Sequence, residues 1–267
     1  MSAAPTRGAN GLRSLPMTDF NVDERGGALW LTLHRPPLNV LDIATLREIR
    51  RALKGLPTRH DLKVLVVRSA LAGTFSAGTD VRDHRRERVS QMLGALHRLV
   101  LFLDQIPQAT LAAVDGRCLG GGCELALFCD LVLATPRSTF ALPEIDLGCF
   151  PPVAAVWLPR LAGRTAHEMV LLGEPVSAED ALRRGLINRV VDDLETETAD
   201  LVARLAAKSG SALALARRAV RQGLRGSVSK AIGRTERMYL EELTRTRDSV
   251  EGVEAFLEKR RPRWSDR

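Results

Sequence analysis

The chain has 267 residues, of which 45% are hydrophobic and 27% charged, a balance that suits a folded domain and excludes a disordered or collagen-like polymer. Aromatic residues make up only 4%, so the core must be built from Leu, Val, Ala and Ile. The formal net charge of +7 is dispersed: Asp83 and Glu87 interrupt the 82–88 arginine cluster and no aromatic residues interleave with it, which fits a solvated surface or a polyanionic small molecule better than nucleic acid.

Residues 1–16 hold Arg7 and Arg13 but no apolar stretch, so they read as a tail, with a transit peptide as the lesser alternative and a secretory signal disfavoured. No apolar run approaches the ~18 to 20 residues that span a bilayer. Residues 28–33 and 63–68 have strand composition and flank a helical stretch over 43–56. From Val89, the residues Met92, Leu93, Leu96, Val100 and Leu103 recur at helical spacing, and the helix ends near Asp104, before Pro107. A strand over 110–114 then leads through Gly116 to the triplet Gly120, Gly121 and Gly122, followed by helical composition over 124–129. Strands are predicted over 130–134 and 139–142, and helices near 157–161, 166–172 and 178–184. Beyond Leu194 the pattern is helical, with breaks at Gly210, Gly223 and Gly226. These elements predict a tail over 1–17, an α/β core over 18–193 and a helical C-terminal subdomain over 194–267.

Cys118, Cys123, Cys129 and Cys149 form neither a CxxC pair nor a disulfide framework, which predicts reduced, buried thiols and a cytoplasmic protein. His34, His60, His84, His97 and His167 lack metal-ligand spacing, so no metal is expected. Nucleotide-phosphate loops and the GxSxG elbow are absent, and none of the five lysines lies in an apolar segment that would suit a Schiff base.

Three short segments carry chemistry: Phe75-Ser-Ala-Gly-Thr-Asp80, Leu119-Gly-Gly-Gly-Cys-Glu-Leu125 and Leu142-Pro-Glu-Ile145. Gly78 permits a tight turn that frees the Thr79 amide, and the glycine triplet lets backbone approach a ligand where a helix begins with unbonded N–H groups. Two such donors converging on one oxygen make an oxyanion hole, although glycines alone serve close helix–strand packing equally well. Glu124 is expected in the first helical turn, where the dipole favours its anion while an apolar cleft raises its pKa. Glu144 follows Pro143 in an apolar stretch. Singly, each glutamate is an ordinary cap or surface residue; together, beside an oxyanion hole, they can divide acid and base duties.

At these residues the sequence resembles the enoyl-CoA hydratase/isomerase, or crotonase, family across roughly 18–265. The likeness includes Arg35-Pro-Pro-Leu-Asn-Val-Leu41, Phe75–Asp80, the GGGCELA run, Pro143-Glu-Ile145, Leu186-Ile-Asn-Arg-Val-Val191 and Ala255-Phe-Leu-Glu-Lys-Arg260. It implies a crotonase-like α/β spiral of ββα units with C-terminal helices that build homotrimers and homohexamers. It also implies oxyanion donors at the Thr79 and Gly121 N–H groups and catalytic roles for Glu124 and Glu144. Ala77, Asp80, Val81 and Arg82 then line the CoA path, and Phe256 and Lys259 match positions that approach the CoA of a neighbouring subunit in relatives. Thr79 replaces the more usual alanine, which a main-chain donor tolerates.

Both glutamates favour hydration of an acyl-CoA substrate, with no cofactor beyond the CoA of that substrate. An isomerase or a ring-opening hydrolase on the same scaffold is the alternative, and a non-catalytic RNA- or acyl-CoA-binding protein a more distant one. Where hydratases carry a glycine-rich run after Gly148, this chain has Pro151-Pro152-Val-Ala-Ala-Val156, and Pro152 has no N–H to offer near the catalytic water. The run Leu147-Gly-Cys-Phe-Pro-Pro-Val-Ala154, with Pro-Pro-Leu-Asn-Val-Leu-Asp near the start, looks like the cyclohexa-1,5-dienecarbonyl-CoA hydratases, which act on a ring-bearing thioester.

Overall fold

In the computed structural model, which describes residues 19–223 and 228–263, two sheets share the strands almost alternately along the chain. The tail expected over 1–17 and the break at Gly226 lie outside the described residues. The larger sheet has six strands in the order β1 (Phe20–Arg25), β2 (Ala28–Leu33), β3 (Val64–Ser69), β5 (Ala109–Val114), β7 (Leu131–Ala134) and β10 (Arg189–Val190). All neighbours are parallel except the β1–β2 hairpin. Both faces of its central strands are buried, which is why those strands read as unbroken apolar runs. Leu29, Leu31, Leu65, Val67 and Ala112 enter the main core, while Trp30, Val64, Val66 and Leu111 pack on the other face under Leu201 and Val202.

The smaller sheet holds β4 (Thr74–Ser76), β6 (Arg117–Leu119), β8 (Thr139–Ala141) and β9 (Val176–Ser177). After each large-sheet strand β3, β5 and β7, the chain crosses to β4, β6 or β8 and then enters helical structure. This is the ββα spiral. Because β4, β6 and β8 are parallel neighbours, with Ser76 opposite Cys118 and Leu119 opposite Ala141, their C-terminal ends lie side by side. The residues that follow those ends are therefore brought together however far apart they are in sequence.

The helices are α1 (Ile43–Ala52), α2 (Val89–Gln105), α3 (Gly120–Phe128), α4 (Pro152–Ala162), α5 (Arg164–Leu172) and α6 (Ala178–Arg183), then α7 (Leu194–Ala206), α8 (Gly210–Gly223), α9 (Val228–Glu241) and α10 (Arg247–Leu257). Asp42 caps α1 by accepting from the Thr45 N–H at 2.8 Å. Leu201 and Val202 bring α7 onto the large sheet, α9 packs against α4 and α2, and α10 packs against the short 3-10 turn Pro143–Leu147. All four cysteines are buried and unpaired as thiols. Among the described residues, no helix is long and apolar enough to cross a membrane.

Candidate active site

The turn after β4 is braced from the Arg35–Leu41 segment. Asn39 donates to the Ser69 hydroxyl (2.7 Å) and the Phe75 carbonyl (3.0 Å), and its own carbonyl accepts from the Ser76 hydroxyl at 2.7 Å. Ser76 Oγ in turn accepts from the Gly78 N–H at 3.1 Å. Gly78 adopts φ +91°, a conformation that L side chains rarely take. The Leu41 N–H closes on the Gly78 carbonyl at 2.8 Å, a bond in which the Thr79 N–H has no part.

Gly121 is the second residue of α3, so its N–H is one of the four that have no acceptor within the helix. A methyl group on Gly121 would stand 3.5 Å from the Thr79 nitrogen and 2.8 Å from its Cγ2. A methyl on Gly78 would reach within 3.2 Å of the Gly121 nitrogen. The two backbone segments thus touch, with Thr79 and Gly121 side by side. Gly122 has a packing role instead, since a methyl there would meet Ser76 Cβ at 2.5 Å.

Glu124 departs from its expected position. The helix begins at Gly120 rather than after the triplet, so Glu124 falls in its second turn, out of reach of that helix's own N-terminal N–H groups. The N-terminus that holds it belongs to α4: Oε1 accepts from the Val153 and Ala154 N–H groups, both at 2.8 Å. Pro152 occupies the first position of α4, where a missing N–H leaves no helical bond unmade, and the next two N–H groups converge on the carboxylate. Burial raises the pKa of Glu124, against the opposing pull of the Ala154 N–H, His97 and the Val153 N–H.

Glu144 sits in the Pro143–Leu147 turn, which Gly148 closes at φ +66°. Its Oε1 lies 3.0 Å from where a methyl on Gly120 would project, which sets the carboxyl against the start of α3. Its Oε2 is buried with no hydrogen-bond partner among the described residues. Burial, reinforced by the charge of Glu124, pushes Glu144 up to about 8. Two carboxyls of one kind are therefore made unequal, because two N–H groups at a helix N-terminus hold one, whereas an oxygen of the other has no partner among the described residues.

Ala77 and Val81 are half-buried beside this turn. Asp80 binds the Arg82 guanidinium at 2.6 Å, which holds its carboxyl below the usual range, and the Arg82 side chain is exposed. Phe256 and Lys259, in and just beyond α10, are exposed. Three buried or half-buried polar side chains, His97, Glu236 and Tyr239, were given no site role by the sequence. His97 is buried and its Nδ1 lies 3.1 Å from Glu236 Oε2, while Tyr239, the chain's single tyrosine, is buried against Phe150 with ring centroids 5.1 Å apart. The available signal was the place of His97 on the apolar stripe of α2, between Leu93 and Val100. Among the described residues, no group of three or more His, Cys, Asp or Glu side chains is disposed to hold a metal ion.

Comparison with known proteins identifies the family. Residues 23–267 match the model of the enoyl-CoA hydratase/isomerase family. The chain is 36% identical over 251 residues to the cyclohexa-1,5-dienecarbonyl-CoA hydratase of Thauera aromatica, covering 92% of this chain and 96% of that protein. It is 35% identical over 257 residues to the 2,3-dehydroadipyl-CoA hydratase of Escherichia coli, covering 94% and 100%. The crystal structure of an enoyl-CoA hydratase from Mycobacterium avium subsp. paratuberculosis superposes with a TM-score of 0.83 at 29% identity, over 94% of this chain and all of that one. The chain therefore belongs to the enoyl-CoA hydratase/isomerase, or crotonase, family.

Proposed function

We propose that the protein adds water reversibly across the double bond of an enoyl-CoA or cyclic dienoyl-CoA thioester. The observation that carries this is the unequal glutamate pair beside the Thr79 and Gly121 amides. In this mechanism the thioester oxygen lies between the two N–H groups, which stabilise the charge that develops on it, an effect worth ~2.7 to 4 kcal/mol per donor. Glu124, held as an anion by the N-terminus of α4, takes a proton from water as the oxygen attacks the β-carbon. Glu144, favoured as the acid by its raised pKa, delivers a proton to the α-carbon. The sum is one water added. Glu124 ends protonated and Glu144 ionised, and proton exchange within the pair restores the starting state.

A ring-bearing acyl group is part of this proposal. It is supported by the stiff Pro151–Pro152 wall, the Phe150–Tyr239 contact and the similarity to a hydratase named for a cyclic dienoyl substrate. The CoA moiety would run past Ala77, Asp80, Val81 and Arg82, with Phe256 and Lys259 contributed across subunits of a homotrimer or homohexamer. The test is incubation with crotonyl-CoA and with a cyclic dienoyl-CoA, followed by mass analysis. Hydration raises the acyl-CoA mass by one water, isomerisation leaves it unchanged, and thioester hydrolysis releases free CoA. Glu124→Gln and Glu144→Gln should each slow hydration by ~10² to 10⁴-fold with the fold retained. Turnover near the wild-type rate in both variants would remove the glutamates from the mechanism.

A further inference from the structure

The two glutamates belong to different elements, yet one short stretch of chain holds both. The Cys149 N–H donates to the backbone carbonyl of Glu144 at 3.0 Å. Further along the same stretch, the Val153 and Ala154 N–H groups donate to the Glu124 carboxylate, both at 2.8 Å. Residues 149–154 therefore form a bridge. A shift anywhere along it moves the donors of one carboxyl relative to the turn that carries the other.

The two ends of the bridge are fixed separately. Before it, α10 lies so close that a methyl on Gly252 would come within 2.2 Å of the Leu147 carbonyl oxygen. After it, Trp157 of α4 packs on Phe128 of α3 with ring centroids 4.7 Å apart, and its Nε1 donates to the Leu127 carbonyl at 2.9 Å. Between these supports, Phe150 on the bridge itself meets Tyr239 of α9, with ring centroids 5.1 Å apart and the planes tilted by 54°. In a chain with only 4% aromatic residues, both ring pairs among the described residues thus bear on α4 or on the bridge that leads into it. Tyr239 is a firm base, since it is 1% exposed and α9 packs against both α4 and α2. Its hydroxyl has no hydrogen-bond partner among the described residues, so the contact with the bridge is made by the ring.

We propose that Tyr239 is a positioning residue for both glutamates: its ring, set against Phe150, holds the 149–154 bridge and with it the placement of Glu124 relative to Glu144. This role rests on the glutamates being the base and acid of the proposed hydration. Pro151 and Pro152 lock two successive φ angles, so a displacement of Phe150 is passed on to Val153 and Ala154 instead of being absorbed by the backbone between them. Near the reacting atoms, a misplacement of about 1 Å is enough to cost ~10²-fold in rate. The hydroxyl has no part in this, and a phenylalanine ring should hold the bridge as well.

The test compares wild type with Tyr239→Leu, Tyr239→Phe, Phe150→Leu and the double variant carrying both leucines. It is read by steady-state kinetics and by amide hydrogen exchange of the substrate-free protein. Tyr239→Leu should lower kcat by ~10 to 10²-fold with KM unchanged, and Phe150→Leu should lower kcat to a similar degree. In both, the Cys149, Val153 and Ala154 amides should exchange on the order of 10-fold faster, while the amides of β3 and β5 keep their protection. The double variant should be no worse than either single one, because each removes the same contact. Tyr239→Phe, which restores the ring, should rescue both readouts. Should Tyr239→Leu fail to fold, Phe150→Leu, at a half-buried position, and Tyr239→Phe decide the matter. Bridge amides that exchange as in the wild type would overturn the proposal, as would protection lost equally throughout the sheet. So would rate losses that multiply in the double variant, or a Tyr239→Phe protein as impaired as Tyr239→Leu, which would move the role from ring to hydroxyl. The exchange measurement requires no turnover, so a wild-type protein that hydrates neither thioester would refute the proposed function while the amides still judged the bridge.

Discussion

Glu124 and Glu144 differ less in chemistry than in company. Glu124 accepts two N–H groups at 2.8 Å, whereas Glu144 has an oxygen with no described partner and a pKa pushed to about 8 by burial and by its neighbour's charge. A group needed as an acid works only while protonated, so kcat/KM should fall as pH rises past about 8, and Glu144→Gln should abolish that limb together with most of the activity. Stability follows the same proton. Above the unfolded value of 4.5 and below about 8, folded Glu144 keeps a proton that the unfolded chain has lost. The contribution is therefore complete below 4.5 and declines as pH rises through that window. Thermal melting of the wild type should show this decline, and Glu144→Gln should flatten it, ending with the higher Tm at alkaline pH. Parallel melting curves of the two proteins against pH would contradict the assignment.

Elements show what the sequence could and could not announce. The strands over 28–33 and 64–69 were legible because burial on both faces leaves unbroken apolar runs. β1 was not, since only Phe20 of FNVDER is buried and pairing with β2 makes the strand. The glycine and glutamate motifs that build the site were plain, for backbone demands leave few residue choices. The grip of α4 on Glu124 was hidden, because it joins residues 29 and 30 positions apart that no local pattern links. His97 and Glu236, 139 positions apart, were hidden for the same reason. One helix contact makes the point testable. A methyl on Gly252 of α10 would strike the Leu147 carbonyl oxygen at 2.2 Å, and backbone cannot yield as a flexible side chain can. Gly252→Ala should lift α10 from the turn that holds Glu144. We expect a loss of about 1–3 kcal/mol in chemical denaturation, accompanied by a fall in kcat. Unchanged stability and rate would show that the contact bears on neither.

At the scale of the whole molecule, the C-terminal helices are fastened to the spiral by charge as well as by apolar packing. Arg217 and Arg221 of α8 both reach Asp130, at 2.5 Å and 2.7 Å, in the turn between α3 and β7. Arg217 also donates to the carbonyls of Leu103 and Ile106, and Arg221 to that of Phe128, so two guanidinium groups collect backbone acceptors from the ends of α2 and α3. Burial would raise the pKa of Asp130, but the two arginines outweigh it and hold the carboxyl below the usual range. This group therefore stabilises the fold above its unfolded pKa, and that stabilisation fades as pH falls through the folded value, opposite in sense to Glu144. Arg217→Met keeps much of the side-chain volume yet leaves the Asp130 charge and the two carbonyls short of a donor. Removing one partner of such a buried pair costs ~3–5 kcal/mol, so urea unfolding at neutral pH should show a lowered midpoint and, if α8 detaches before the spiral melts, a separate early transition. Asp130→Asn in the Arg217→Met background relieves the stranded anion and should recover part of the loss. A single transition at the wild-type midpoint in Arg217→Met would mean that apolar packing alone holds α8 on the spiral.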